Sequence, residues 1–333
     1  MNIEWQSFIG SAQDRPGRPR PDKLFDLSPL GGLRIQGKDA ASFAQGQFTN
    51  DIEASTHKRA QLSAWCSPKG RVLMSFWIYA RDDGFVLSSA VPITETLSNR
   101  LKLYVLRAKV DIDNELKGHV RLGCEGALVS ARLEDYAGPL PIRIGEVTQT
   151  PEGLSIMRTF GEERFELFAP TATMTTVWPM LSEVAALQPA STWALGDIEN
   201  GVPVVGAEVT DEYLPQMLNL MELGAISLEK GCYVGQEIVA RAHYRGKVKR
   251  RMYMAAIDTP MLNAGDEVLS KDDEARVVGR VLAAATDSDG RYRAQVVLNV
   301  TDAGTDLQLT TGDTLNARQP PYDLDSGDSP TVP

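Results

Sequence analysis

The stretch Lys230–Glu237 has the sequence Lys-Gly-Cys-Tyr-Val-Gly-Gln-Glu, a composition that is typical of a functional site. Its thiol, Cys232, stands two residues after Lys230, and a helix is predicted to begin near Gly235. Because the first N–H groups of a helix are unpaired and carry partial positive charge, they and the Lys230 ammonium would favour the thiolate form of Cys232. Cys232 is therefore a candidate reactive thiol and Lys230 its candidate activator. The alternative is that Cys232 is a small buried residue in a glycine-rich turn, as many free cysteines are.

This stretch, continued by Ile-Val-Ala-Arg, resembles the signature of the YgfZ family, a branch of the aminomethyltransferase (glycine-cleavage T-protein) fold. Three further stretches resemble the family, namely Gln45–Ile52, Phe165–Leu167 and Trp193–Gly201. The resemblance implies an α+β folate-binding fold with three domains around a central cavity. It also implies that the protein binds tetrahydrofolate, a reduced folate, and supports iron–sulfur enzymes, including one that thiolates tRNA.

The composition restricts the class of protein. A net charge of −10 argues against an obligate nucleic-acid binder or a membrane-surface protein, although a local basic patch is compatible with it. The three cysteines are widely spaced and form no Cys-x-x-Cys pair, which favours free thiols in a reducing compartment. No apolar run approaches the roughly 20 residues that cross a bilayer, and the N-terminus lacks the pattern of a signal peptide. We therefore expect a cytoplasmic protein, without a metal site because no histidine stands at ligand spacing from a cysteine.

The apolar pattern and the turn residues divide the 333-residue chain into units. Leu62–Ser67 and Arg71–Tyr79 form a predicted hairpin, and a helix is predicted over Thr175–Leu187. Alternating runs between residues 252 and 309 predict a small C-terminal β-barrel. With the return to the first domain that the resemblance implies, the predicted organisation is a flexible segment over 1–22, a discontinuous first α+β domain over 23–117 and 196–248, a second α+β domain over 118–195, a β-barrel over 249–318 and a disordered tail over 319–333.

The second strand of the predicted hairpin distinguishes an accessory protein from an enzyme. The T-protein relatives carry a paired Asp-Asp there, of which one acid handles a proton, whereas this chain has Met74 and Ser75 at those positions. Neither side chain acts as a carboxylate base near neutral pH. The sequence thus favours a folate-binding accessory protein. Two alternatives stay open, namely a folate-dependent aminomethyl or methyl transferase that uses another base, and a carrier of iron–sulfur clusters that does not use folate.

Four residues are candidates for the folate site by their family positions. Trp193 would form a wall for the pterin, and Glu166 and Glu199 could accept its N–H groups. Where close family members place a tryptophan before the first strand, this chain has Leu30, and the lost stacking face would weaken the pterin contact. The alternatives are that Trp193 is a core aromatic residue and Glu199 a solvated helix residue.

A run of cations follows the predicted helix. Six cations fall within eleven residues of an otherwise acidic protein, namely Arg241, Arg245, Lys247, Lys249, Arg250 and Arg251. One hypothesis is that they bind a polyanion, which could be a polyglutamyl folate tail, RNA or the acidic surface of a client. The other is that they form a solvated face that pairs with the surplus acids.

Together these observations predict a tetrahydrofolate-binding accessory protein that presents Cys232 at or near the opening of its cavity. In this hypothesis Cys232 takes part in handing over, protecting or repairing an iron–sulfur cluster, or in sulfur redox chemistry on a client enzyme, and Lys230 helps to keep it ionised. A tRNA-thiolating enzyme is one candidate client. The sequence leaves open whether tRNA itself is contacted.

Overall fold

The computed structural model describes residues 3–12, 20–81, 84–113, 116, 118–272 and 275–324. Its α-helices are α1 (Ile3–Ala12), α2 (Ala40–Gln47), α3 (Glu95–Lys102), α4 (Ala127–Ala137), α5 (Thr171–Ser182), α6 (Trp193–Glu199) and α7 (Gln236–Arg245). Its strands are β1 (Asp22–Asp26), β2 (Leu33–Gln36), β3 (Gln61–Cys66), β4 (Val72–Arg81), β5 (Gly84–Ser88), β6 (Asp111–Asp113), β7 (His119–Glu125), β8 (Val147–Gln149), β9 (Ser155–Arg158), β10 (Arg164–Pro170), β11 (Ala185–Gln188), β12 (Arg250–Ile257), β13 (Glu267–Ser270), β14 (Val277–Thr286), β15 (Tyr292–Asn299), β16 (Leu307–Leu309) and β17 (Thr314–Arg318). None of the helices in these ranges combines the length and apolar character that crossing a lipid bilayer requires.

The first sheet is antiparallel and has the strand order β3-β4-β5-β2-β6. The predicted hairpin is present as β3 and β4, whose side chains alternate between two buried faces. On one face Phe76 and Ile78 pack with residues of α2 and α3. On the other face Leu62 and Trp77 pack against apolar side chains of residues 202–226, which separate this sheet from the barrel. The first sheet is therefore completed by chain that follows the second sheet in sequence.

The second sheet has the strand order β11-β1-β7-β10-β9-β8, with β11 parallel to β1 and the other pairs antiparallel. Side chains of α1, α4 and α5 form its core. Two predictions are wrong here. The first domain was expected to begin at residue 23, yet β1 pairs inside the second sheet. The helix predicted over Thr175–Leu187 spans Thr171–Ser182, and the residues after it form β11 because they pair with β1.

The predicted flexible segment over residues 1–22 is wrong for Ile3–Ala12, which form α1. Trp5 is completely buried, and its indole Nε1 donates to Asp26 Oδ1 at 3.0 Å. Its ring lies edge-on to Trp178, with centroids 5.5 Å apart. The helix is thus anchored by one tryptophan that packs into the core of the second sheet. Residues 13–19 of the same predicted segment lie outside the described ranges.

The C-terminal strands close into a barrel in the order β12-β15-β14-β13-β16-β17, as the alternating pattern predicted. The predicted disordered tail is wrong for residues 319–324. The Tyr322 hydroxyl donates to the Gly201 carbonyl at 2.7 Å, and Leu324 is buried in the barrel core. These contacts order the tail because they satisfy a buried carbonyl and cover apolar surface. Residues 325–333 lie outside the described part of the chain.

We expect the substitution Trp5→Ala to destabilise the second sheet strongly, because it removes a fully buried aromatic side chain and the partner of a buried carboxylate. Losing a buried tryptophan costs about 3–5 kcal/mol in free energy of unfolding. The matched control is Ile3→Ala in the same helix, where the side chain is 78% exposed, and it should change that free energy by less than about 0.5 kcal/mol. Urea unfolding followed by circular dichroism measures both. Similar midpoints for the two variants would show that α1 is not anchored through Trp5.

Candidate functional site

The segment Lys230–Glu237 contacts α2 and the β3–β4 turn through its backbone. The Val234 N–H donates to the Gly46 carbonyl at 3.2 Å, and α7 begins immediately after Gly235. Gly235 has φ +83°, and a Cβ there would lie 2.4 Å from the Ser67 carbonyl oxygen, so only glycine fits this close approach to the β3–β4 turn. The structure therefore brings together two of the sequence stretches that resemble the family, Gln45–Ile52 and Lys230–Glu237.

Lys230 joins these two stretches. Its ammonium donates to the carbonyls of Phe48, at 2.8 Å, and Asn50, at 2.6 Å. Burial lowers the pKa of Lys230 from 10.5 to about 8, while the carboxylates of Asp51 and Glu53 oppose that shift. The contacts of the ammonium are thus backbone carbonyls, which give Lys230 a structural task in holding the segment. Its effect on the Cys232 thiol stays a prediction.

The three thiols differ sharply in access. Cys232 is exposed, whereas Cys66 and Cys124 are buried. Burial, with a contribution from the charge of Asp211, raises the pKa of Cys66 to about 12. Burial also raises the pKa of Cys124. Since Cys232 is exposed, it is the cysteine that a partner or reagent can reach. The two buried thiols are also less reactive, because their raised pKa disfavours the thiolate, which is the reactive form.

A small cavity lies where the first sheet, α6 and the residues after α6 meet, close to the barrel. Its volume is about 20 Å³, and its walls include Leu62 and Ser88 of the first sheet, Asp197 of α6 and Pro203. The amide side chain of Gln295, in barrel strand β15, accepts from Val204 N at 2.9 Å and donates to Val202 O at 2.6 Å. This space holds about one water molecule. The predicted central cavity stays a prediction, and this space lies between the first sheet and α6.

Two polar groups of the cavity, those of Ser88 and Asp197, come from positions that the sequence analysis did not single out. Ser88 Oγ is buried and has no hydrogen-bond partner within the described residues. Asp197 Oδ1 accepts from the Arg164 guanidinium at 2.6 Å. Burial raises the pKa of Asp197, and the Arg164 charge opposes that shift. The signal for Asp197 was its position four residues after Trp193, since residues so spaced share a helix face.

The two strand positions that carry acids in T-protein relatives contribute no carboxylate to this cavity. The Ser75 hydroxyl lines the cavity and donates to the Pro203 carbonyl at 2.8 Å. Met74 packs on the opposite face of the sheet, with the core that includes α2. The carboxylate that lines the cavity in their place is Asp197.

Trp193 and Leu30, two of the predicted folate residues, share one buried cluster with Phe25 and Leu27. The Arg164 guanidinium lies 3.5 Å from the Trp193 ring centroid. Gly123 lies so near that a Cβ there would be 2.6 Å from the same ring. Trp193 therefore has both a packing role and a place next to the cavity, since Ala90 contacts this cluster and also lines the cavity.

The two predicted glutamates lie in different environments. Glu166 is buried, and its carboxylate accepts from Arg121 Nε at 3.1 Å and Nη2 at 3.2 Å. Arg121 also donates to the carbonyls of Gly31, just before β2, and Ser89, just after β5. The pair therefore joins the second sheet to the ends of two strands of the first sheet. Glu199 is exposed at the end of α6 and is not one of the residues that line the cavity. The helix turns it outward because it stands two residues after the inward-facing Asp197.

Comparisons with known proteins agree with this architecture. Residues 22–228 match the GCVT N-terminal domain. The chain is 34% identical to the tRNA-modifying protein YgfZ of Escherichia fergusonii over 285 residues, which are 84% of this chain and 86% of that protein. It is 32% identical to the protein of the same name from Enterobacter sp. (strain 638) over 314 residues, 92% of this chain and 94% of that protein.

Among solved structures, the fold is similar to that of the glycine cleavage system aminomethyltransferase T from Bartonella henselae. The TM-score is 0.71 at 17% sequence identity, and the match covers 90% of this chain and 85% of that one. The predicted aminomethyltransferase-like fold with a C-terminal barrel is therefore confirmed.

We expect a thiol reagent such as 5,5′-dithiobis(2-nitrobenzoate) to titrate one thiol in the native protein and three after denaturation, because Cys232 alone of the three cysteines is exposed. The variant Cys232→Ser should release no thionitrobenzoate on the same timescale until it is unfolded. Absorbance at the thionitrobenzoate band measures both results. Rapid labelling of a thiol in native Cys232→Ser would contradict the burial of Cys66 and Cys124.

Proposed function

Since the chain belongs to the YgfZ family and carries the GCVT N-terminal domain, we propose that it binds tetrahydrofolate in its central cavity and acts as an accessory protein in tRNA modification. The observation that carries this proposal is the set of groups around the cavity. One wall is apolar, with Leu62 and Pro203, and the cavity also has the unpaired Ser88 hydroxyl and the Asp197 carboxylate. Flat apolar slots with a few polar groups suit a pterin.

The residue types fit a reduced folate, but the closed cavity is smaller than a pterin ring. Binding therefore requires the walls to separate. A bound tetrahydrofolate would supply a flat pyrimidine ring with N–H groups at its edge, and the nitrogens N5 and N10, of which N5 belongs to the pterin, that carry one-carbon units. Of this chain's residues, Ser88 and Asp197 would hold the polar edge of the ring, and Trp193, with Leu30 beside it, would support the apolar side. Glu166 would keep Arg121 in place at the junction of the two units.

An accessory role is favoured over catalysis by the hydrogen bond of Ser75. Its hydroxyl is committed to the Pro203 carbonyl, and a serine hydroxyl is not a base near neutral pH. The second candidate function, a folate-dependent aminomethyl or methyl transferase, is favoured by Asp197, because burial raises its pKa and a base of raised pKa accepts a proton more readily. Against it, Arg164 already holds that carboxylate at 2.6 Å.

The exposed thiol gives the accessory role a chemical means. Cysteine thiolates are the ligands of iron–sulfur clusters, and Cys232 is exposed within the docked segment. We propose that Cys232 supplies one thiolate ligand to the cluster of a client enzyme during hand-over, protection or repair, while the client supplies the remaining ligands. A tRNA-thiolating enzyme of this kind would connect the thiol with tRNA modification, which is part of the name of the relatives.

Titration calorimetry with tetrahydrofolate tests the folate site. Trp193→Ala should weaken binding by about tenfold or more because it removes an aromatic support, and Leu30→Trp should strengthen binding because it adds a stacking face. The matched control is Leu103→Trp, which adds the same side chain at a position that is 74% exposed and should leave affinity unchanged. Equal affinities for all four proteins would overturn the assignment. Turnover of a one-carbon donor that Asp197→Asn abolishes would favour the transferase instead.

A complementation assay tests the thiol. In cells that lack this protein, Cys232→Ser should fail to restore the thiolated nucleoside that the client enzyme makes, while its tetrahydrofolate affinity stays that of the wild type. Cys124→Ser is the matched control, because the serine can keep the contact that the buried Cys124 makes with the Phe165 carbonyl, and it should restore the product. The nucleoside is quantified by mass spectrometry of hydrolysed tRNA. Full restoration by Cys232→Ser would remove the thiol from the mechanism.

A further inference from the structure

The cations after Glu237 form a surface of unpaired charge, which we call the basic face. It consists of Arg241 and Arg245 on α7 and Lys247 and Lys249 in the segment that leads to β12, and all four are exposed. Their side chains make no ion pair or hydrogen bond with any residue that the structure describes. The alternative drawn from the sequence, a face paired with surplus acids, is therefore wrong for these four. It applies to Arg251, which pairs with Glu222.

Aromatic and apolar side chains stand between these charges. Tyr244 is 70% exposed, and its ring lies edge-on to His243 at a centroid distance of 4.8 Å. On the same helix Ile238 is 38% exposed. An exposed aromatic ring beside arginines can stack on an unpaired base, whereas a partner recognised only by its negative charge has no use for it.

A groove on the barrel includes Arg250, which directly follows Lys249 of the basic face in sequence. It has a volume of about 370 Å³, and Arg71, Arg250 and Arg280 line it together with Asp211 and Glu212. Glu212 lies 3.8 Å from Arg280, and Arg71 donates to the Glu212 carbonyl. Three guanidinium groups against two carboxylates leave the groove with one net positive charge. The chain as a whole has a net charge of −10, so the groove differs in sign from the chain's net charge and attracts an anion more than an average part of the surface does.

The length of the basic face favours a nucleic acid over a small anionic ligand. Arg241 and Arg245 lie about 6 Å apart along the axis of α7, and the segment over 246–249 adds roughly 13 Å if extended. Cations spread over such a length match successive phosphates of a folded nucleic acid better than the compact tail of one small ligand. Cys232 is exposed and stands four residues before α7, so the thiol and the basic face belong to one continuous stretch of chain.

We propose that the basic face and its groove are a docking surface for folded RNA, which they hold by the phosphate backbone, with Tyr244 stacking on an accessible base. This inference rests on the proposed role in tRNA modification and adds direct contact with the RNA substrate to it. The RNA then lies along the helix that follows the segment with Cys232.

Fluorescence anisotropy with an unmodified tRNA transcript tests the proposal on the intact protein. Lys247→Glu/Lys249→Glu and Arg241→Glu/Arg245→Glu should each weaken binding about tenfold or more, and the slope of log affinity against log salt should fall by about two. Tyr244→Ala should weaken binding without changing that slope, because it removes stacking and not charge. The control is Lys102→Glu/Arg107→Glu, which changes the net charge equally at two exposed residues that are unpaired within the described ranges, and it should alter affinity by less than about twofold.

Three results would overturn the proposal. They are failure of wild-type protein to bind the transcript, equal losses in the basic-face and control variants, and binding of poly-L-glutamate to the basic face in place of the transcript. Tetrahydrofolate titration of the same variants should give wild-type affinity, because the substitutions lie outside the cavity. Loss of RNA binding with folate binding intact therefore concerns this inference alone, whereas absence of folate binding in the wild type would contradict the proposed function.

Discussion

The buried guanidinium of Arg164 fixes the part of the molecule on which the candidate site depends. It donates to Asp197 Oδ1 at 2.6 Å, to the Trp193 carbonyl at 2.8 Å and to the Phe160 carbonyl at 3.1 Å. A charge buried without such partners costs several kcal/mol, so α6 is held where its carboxylate and carbonyl can reach β10. The same helix forms a wall of the cavity and packs on the barrel strands β14 and β15. Arg164 therefore fixes the position of α6, and α6 in turn contacts the cavity and the barrel.

Elements whose partners lie nearby in sequence were predictable, whereas contacts between distant parts of the chain were not. The β3–β4 hairpin and the barrel strands were predictable because each has its turn and its alternating pattern within a few residues. The pairing of β1 with β7 and β11 was not, because strand partners so far apart in sequence leave no periodic signal. Helix α1 was missed over Ile3–Ala12 because its stability comes from Trp5, whose partners Asp26 and Trp178 follow much later in the chain.

The candidate site shows the same division. The resemblance named Leu30 and Trp193 as folate residues, and the structure packs both in one buried cluster. The sequence singled out Cys232, which the structure leaves exposed. Asp197 lines the cavity and Glu199 does not. Predicting this required knowing which face of α6 is buried, and seven residues are too few for their apolar spacing to show it. Lys230 was predicted to act on Cys232, its near neighbour in sequence. Its ammonium instead contacts the carbonyls of Phe48 and Asn50, which precede it by 182 and 180 residues.

The path of the chain also sets an order for folding on the ribosome. The apolar face of the first sheet that carries Leu62 and Trp77 is covered in large part by residues 202–226, which are translated on the order of ten seconds later at about 5–20 residues per second. During that interval the nascent sheet exposes part of its apolar surface. The segment with Cys232 emerges after this cover and before the barrel strands. The thiol therefore reaches its folded position only once the chain that covers this face is available.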